Sequence, residues 1–143
     1  MGDYIQKNSY GVFIDRTIRK VKKDLENRFK THNLGITVDQ FVILDRLAPN
    51  DGINPMELAE ITFKDSPTIT RLSNNLEKKN LITRELDKND RRKFNIYITK
   101  KGKEKLEEAL PIVLENRKAG WKGLDGEDYN HLKRIMETIY NNY

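Results

Sequence analysis

The sequence predicts a mainly α-helical domain with one small β-hairpin inserted late in the chain. Three observations carry that expectation. Apolar residues recur at helical spacing through most of the 143 residues. Two short runs, 81–86 and 94–98, flank a charged tip, Asp87-Lys88-Asn89-Asp90-Arg91-Arg92-Lys93. Between Lys64 and Lys103 there are 12 Lys/Arg against 5 Asp/Glu, a net +7, while the whole chain is +5, so the remainder sums to −2. Short helices leading into a basic hairpin form the layout of a winged helix-turn-helix, and charge gathered in that stretch suits a polyanion such as DNA.

From Ser9 to Lys30, Ile14, Ile18, Val21, Leu25 and Phe29 place one apolar stripe along a long first helix, which Asn33-Leu34-Gly35 ends. Thr37 with Gln40 three residues later forms a capping box ahead of Phe41, Ile43, Leu44 and Leu47, so a second helix of about three turns starts there. After the turn Pro49-Asn50-Asp51-Gly52, the run Asn54-Pro55-Met56-Glu57 supplies an N-cap, a first-turn proline and a returning glutamate for a short third helix, broken from Thr62 to Asp65. A fourth helix opens at Ser66-Pro67 and reaches about Lys79, with Ile69, Leu72 and Leu76 on its inner face. Leu81 to Leu86 and Phe94 to Ile98 are the hairpin strands. Thr99 caps a fifth helix, interrupted or bent at Pro111. Ala119-Gly120-Trp121-Lys122-Gly123 is a break, and a last helix from about Asp125 is expected to carry Tyr129, Leu132, Ile135, Met136 and Ile139 inward.

Composition narrows the function classes. A hydrophobic fraction of 36% beside 34% charged residues fits one helix-rich domain over 1–143 that folds without metal or disulfide. Cysteine is absent, which removes thiolate zinc sites and cysteine redox sensing and fits a reducing cytoplasm. Asp3, Lys7, Asp15 and Arg16 punctuate Met1 to Lys23, so neither a signal peptide nor a membrane partner is expected. Enzyme chemistry also lacks its ingredients. His32 and His131 have no metal-spaced partner, no glycine loop cradles phosphate, and Ser9, Ser66 and Ser73 have no triad context. Glu104, Glu107, Glu108 and Glu115 follow helical spacing and read as a solvated face. No cofactor and no catalytic residue is expected.

A helix that reads the major groove buries one face and offers short polar and guanidinium side chains on the other. The fourth helix does this with Pro67, Thr70, Arg71, Asn74 and Lys78. Arg71 suits a guanine edge and Asn74 an adenine edge, while Thr70 and Lys78 suit phosphate, the division among them being open. The amides opened by Ser66 and Pro67 suit a further phosphate. In the hairpin tip, Arg91, Arg92 and Lys93 suit a minor groove, with Asp90 or Asp87 orienting a neighbouring guanidinium. A winged-helix protein-interaction module is the alternative; it calls for an apolar patch on the outward face, where these residues provide none.

Asp90-Arg91-Arg92-Lys93-Phe94-Asn95-Ile96-Tyr97-Ile98-Thr99 resembles the D-x-R-x5-L-T wing signature of the MarR (multiple antibiotic resistance regulator) transcription factors, with Ile98 in place of leucine. Ile36-Thr37-Val38-Asp39-Gln40-Phe41 resembles their L-T-x-x-Q-F helix start. Thr68-Ile69-Thr70-Arg71-Leu72 followed by Leu76-Glu77-Lys78-Lys79 resembles their recognition helix. Asn80 stands where relatives usually have glycine, and asparagine tolerates the left-handed conformation required there. The resemblance implies that the helix from Ser66, including Thr68, enters the major groove, that Arg92 reaches the minor groove, and that Asp90 steadies it. It implies a DNA-reading region over 37–100 and a homodimer built from helices in 1–34 and 101–143. The alternative for the apolar stripes of those helices is that they pack on each other within one chain. It further implies a repressor of transcription acting at a pseudo-palindromic operator. Many relatives are released by a small aromatic effector, for which Tyr10, Phe13, Phe41 and Trp121 are conceivable lining residues.

Overall fold

The computed structural model describes residues 9–50 and 52–143. Asp3, Lys7 and the rest of 1–8, together with Asp51 of the predicted turn, lie outside them. Among the described residues, six α-helices and a two-stranded hairpin follow one another in chain order: α1 (Tyr10–Thr31), α2 (Val38–Leu47), α3 (Pro55–Thr62), α4 (Ser66–Lys78), β1 (Ile82–Leu86), β2 (Phe94–Ile98), α5 (Lys100–Gly120) and α6 (Gly126–Asn141).

Local sequence sets most of the boundaries. Thr37 and Gln40 close the expected capping box on α2, each side chain taking the other's backbone amide at 3.1 Å. Asn54 caps α3 through the Glu57 amide at 2.9 Å, and only this forward half of the predicted pair forms. Asn80 stands at φ 60°, so the turn from α4 into β1 takes the left-handed residue anticipated there. Gly102, inside the first turn of α5, is required by close approach. A Cβ at this position would lie 2.1 Å from the Leu81 carbonyl oxygen and 2.7 Å from Ile98 Cγ1.

β1 and β2 pair antiparallel, from Ile82 opposite Ile98 to Leu86 opposite Phe94. A feature absent from the sequence reading is a single antiparallel bridge between Ile53 and Ile96, with backbone bonds of 3.2 and 2.8 Å, which pins the segment before α3 to the hairpin. The core gathers Leu25 and Phe29 of α1, Phe41, Ile43, Leu44 and Leu47 of α2, Leu58 of α3, Ile69, Leu72 and Leu76 of α4, Ile96, and Leu106, Ala109, Ile112 and Val113 of α5. Phe29 meets Phe41 edge to face at 6.0 Å, joining the C-terminal half of α1 to the helix-turn-helix.

Of the two forms expected at Pro111, an interruption or a bend, the interruption does not occur, and α5 runs unbroken from Lys100 to Gly120. The proline forfeits one hydrogen bond to Glu107, but both residues lie on the exposed side, while neighbouring Ala109, Ile112 and Val113 stay buried and hold the helix together. More consequentially, α6 points nothing inward. Tyr129, Leu132, Ile135 and Met136 are exposed and Ile139 is only half-buried, because the single chain offers this face nothing to pack on. The stripe on α1 likewise divides, with Leu25 and Phe29 in the core but Ile18 and Val21 exposed and Ile14 half-buried. The two stripes therefore do not bury each other within one chain. Among the described residues, no helix is long and apolar enough to cross a membrane.

Candidate nucleic-acid interface

α4 is placed by its inner face, where Ile69, Leu72, Ser73 and Leu76 are buried. That leaves Ser66, Pro67, Thr70, Arg71, Asn74 and Lys78 exposed in one row, with Thr68 half-buried. The outward row contains no large apolar side chain, so the feature required by the protein-interaction alternative is missing.

α4 opens at Ser66-Pro67 as expected, and its cap is the preceding Asp65. Its carboxylate accepts the Thr68 amide at 2.8 Å. Bonding from the Thr68 side chain and amide, aided by the nearby Arg71 charge, outweighs desolvation and holds the Asp65 carboxyl below the ordinary carboxylate range. Among the first-turn amides at this terminus, Pro67 has no N–H and that of Thr68 is taken by Asp65, whose negative charge also answers the helix dipole. Thr70 donates its hydroxyl back to the Ser66 carbonyl at 3.0 Å, so contact with phosphate requires that bond to be exchanged or shared.

The hairpin tip is organised by Asp87 more than by Asp90. Asp87 Oδ1 accepts the Asn89 and Asp90 amides at 2.8 and 3.3 Å, and its Oδ2 accepts Asn95 Nδ2 at 3.4 Å. Backbone bonding from Asn89 leads the influences that keep the Asp87 carboxyl low, so the tip stays folded around an ionised residue. Asp90 acts on Arg92 chiefly through the backbone, accepting its amide at 3.0 Å while the guanidinium Nε lies 4.0 Å away. The Arg92 side chain is 95% exposed, and Arg91 and Lys93 are exposed beside it.

Arg84, which the sequence reading passed over, couples the two elements. From β1 its Nη2 donates to Asn74 Oδ1 on α4 at 2.7 Å, its Nε stands 3.7 Å from Glu77, and its guanidinium lies 5.3 Å from the centre of the Phe94 ring. A signal was present, because Arg84 falls at an inward register position opposite fully buried Ile96, where an apolar residue is the default. Two other cations of the basic stretch also serve the fold. Lys64 Nζ meets Asp39 Oδ1 at 2.9 Å, and Lys79 Nζ donates to the Gly35 carbonyl and Gln40 Oε1 at 2.8 and 3.0 Å. Arg71, Lys78, Lys88, Arg91, Arg92, Lys93, Lys100, Lys101 and Lys103 remain exposed.

The four aromatic residues suggested for an effector do not converge. Phe41 is in the core, Phe13 lies under Arg16 at 4.8 Å, Tyr10 shares a hydroxyl contact with Tyr143, and Trp121 stacks edge to face on Tyr129 at 5.8 Å. An open groove between α1 and α5, lined by Arg16, Lys20, Val21, Asn116 and Ala119 among others, lies elsewhere.

Comparison with known proteins gives this geometry a family. The MarR family profile matches residues 36–94. The transcriptional repressor MprA of Escherichia coli is 31% identical over 120 residues, covering 82% of this chain and 68% of MprA. The chain belongs to the MarR family. Another MarR-type relative is the HTH-type transcriptional regulator SarZ of Staphylococcus epidermidis, 34% identical over 70 residues, which cover 49% of this chain and 47% of SarZ. The chain thus spans about half the length of SarZ. The MarR fold is matched directly by a crystal structure of a mutant MarR from Escherichia coli complexed with operator DNA. The TM-score is 0.86 at 22% identity, covering 95% of this chain and 96% of that one. MarR-family proteins are transcriptional regulators rather than enzymes, and the relatives support the DNA-binding reading rather than the interaction-module alternative.

Proposed function

We propose that this MarR-family chain is a homodimeric, sequence-specific binder of double-stranded DNA that represses transcription at a pseudo-palindromic operator and is released by a small molecule. The observation that carries the reading is the Arg84 bridge. It ties the exposed polar face of α4 to the basic hairpin, so two readers of adjacent grooves move as one body. Arg71 and Asn74 address base edges in the major groove, and Thr70 and Lys78 address phosphate beside them. Ser66, Pro67 and Thr68 form the rim at which α4 enters. Arg92 reaches into the minor groove, flanked by Arg91 and Lys93 and shaped by Asp90. In this reading 37–100 is the DNA-reading region, and 1–34 and 101–143 supply the dimerisation helices. The site of action is the cytoplasm, where operator DNA is accessible.

The dimer is supported by the uncovered faces. Ile18 and Val21 of α1, Leu110 and Leu114 of α5, and Leu132, Ile135 and Met136 of α6 are all exposed, large apolar side chains for which one chain provides no cover. A second copy covers it with the same residues, as a two-fold interface requires. For the effector, the α1–α5 groove is the site we favour, since it sets Arg16, Lys20 and the Asp24 carboxylate beside Val21 and Ala119, a mix of charge and apolar surface that suits a small polar aromatic molecule.

The electrostatic part of the reading is testable by titration. If the pair neutralises about eight phosphates, log affinity for a selected duplex falls with log salt at a slope of roughly −7. Even without Lys79, which is committed to Gly35 and Gln40, nine exposed cations per protomer in the 64–103 stretch are ample for that number. A slope near zero would refute the phosphate footprint.

A further inference from the structure

Phe63 occupies a position where a large side chain gains nothing for the fold. It follows α3 directly, its backbone stands at φ 54°, and its side chain is 82% exposed. The left-handed region disfavours bulky residues, whereas glycine and asparagine enter it at little cost. Asn33 and Asn80, the other non-glycine residues with positive φ among those described, obey that rule. The exposed ring also forgoes the burial that ordinarily offsets the cost of ordering a side chain. A strained aromatic held out in solvent points to a role outside folding stability.

Its place in the chain indicates the role. Phe63 lies three residues ahead of Ser66 and Pro67, the exposed first turn of α4. Its neighbour Lys64 is drawn onto Asp39 at 2.9 Å, so Phe63 is the outward member of the pair. Met56 in the first turn of α3 is also exposed, at 72%. Glu57 and Glu60 are exposed along the body of α3, where they repel phosphate and confine a DNA contact to the turn. Beside the phosphates at the rim of the major groove, the apolar surface DNA offers a phenyl ring is made of deoxyribose carbons and thymine methyl groups.

We propose that Phe63 is an apolar DNA contact, its ring packing on deoxyribose and a thymine methyl at the edge of the groove entered by α4. The inference rests on the DNA-binding reading above and adds a contact without charge to it. The test uses the full chain on a duplex selected from random DNA, comparing Phe63→Gly and Phe63→Asn with Arg71→Ala as the reference variant.

Both Phe63 variants suit the left-handed backbone, so each is expected to melt at or above the parent temperature. Each should bind about five- to tenfold more weakly, the scale of losing one buried apolar contact. Because no charge is lost, the slope of log affinity against log salt should stay at the parent value. Replacing the flanking thymine by uracil should weaken the parent and leave the Phe63 variants unchanged. If Arg71→Ala loses affinity while both Phe63 variants bind within about twofold of the parent, the Phe63 contact is overturned and the DNA reading stands. A melting temperature lowered in both variants would make Phe63 a structural residue and also overturn it. If Arg71→Ala binds as tightly as the parent, the DNA reading fails and the Phe63 contact fails with it.

Discussion

Asp39 shows how much a single residue of α2 holds in register. Its Oδ1 accepts Lys22 Nζ of α1 at 3.0 Å and Lys64 Nζ of the turn before α4 at 2.9 Å, so one carboxylate joins three parts of the chain. Partial burial pushes its pKa up, but the two lysines together outweigh that and leave it lowered. A lowered folded value means that the stability it contributes is fully present above the ordinary carboxylate value near 4 and is lost as pH falls through the folded value. Asp39→Asn is therefore expected to destabilise the protein by about 1 kcal/mol at neutral pH, discounted for solvent screening. It should also flatten the decline in stability below about pH 4, which chemical denaturation at a series of pH values would measure. An equally steep acid limb in the variant would remove Asp39 from the account. None of this was legible beforehand, because sequence places Asp39 in the first turn of a helix and says nothing of two lysines 17 positions before and 25 after it.

Elements with local causes were the ones sequence could specify. The capping box on α2, the asparagine cap on α3 and the left-handed Asn80 each depend on residues within a few positions of one another. The alternating β2 strand and its charged tip were legible for the same reason. What escaped depends on long-range partners, namely the Ile53–Ile96 bridge and the contact of Arg84 with Asn74. Arg84 was visible as an arginine at an inward strand position; its role appears once β1 is set beside α4. Arg84→Ala is expected to uncouple hairpin from helix, weakening DNA binding by about 1 to 3 kcal/mol, as loss of a charge-assisted bond implies. It should do so with folding largely retained, since Ile82 and Ile96 remain buried. Quantitative binding alongside thermal melting would check this, and undiminished affinity would show that the hairpin needs no tether.

At the scale of the whole molecule, the apolar face of α6 was recognised as such; its inward reading fails, while the family resemblance had already offered a second copy as its cover. Periodicity reports that a face is to be covered, and it carries no information on which chain covers it. Leu132→Arg with Ile135→Glu places charge within the uncovered stripe. The expected result is a shift from dimer to monomer mass in light scattering at micromolar concentration, accompanied by loss of high-affinity operator binding. A parent protein that is already monomeric would contradict the interface. Two linked protomers present two copies of α4, so their half-sites should fall about one helical turn apart, roughly 34–36 Å.

The central claim is that α4 and the hairpin form one surface addressing adjacent grooves, and methylation interference reads both grooves in a single experiment. Modified guanine N7 blocks major-groove contacts, and modified adenine N3 blocks minor-groove contacts. The account predicts two guanine clusters about one turn apart, each flanked by adenine interference. Arg71→Ala should erase guanine positions at a cost of about 1 to 3 kcal/mol, and Arg92→Ala should erase adenine positions alone. Identical interference patterns for the parent and both variants would contradict it.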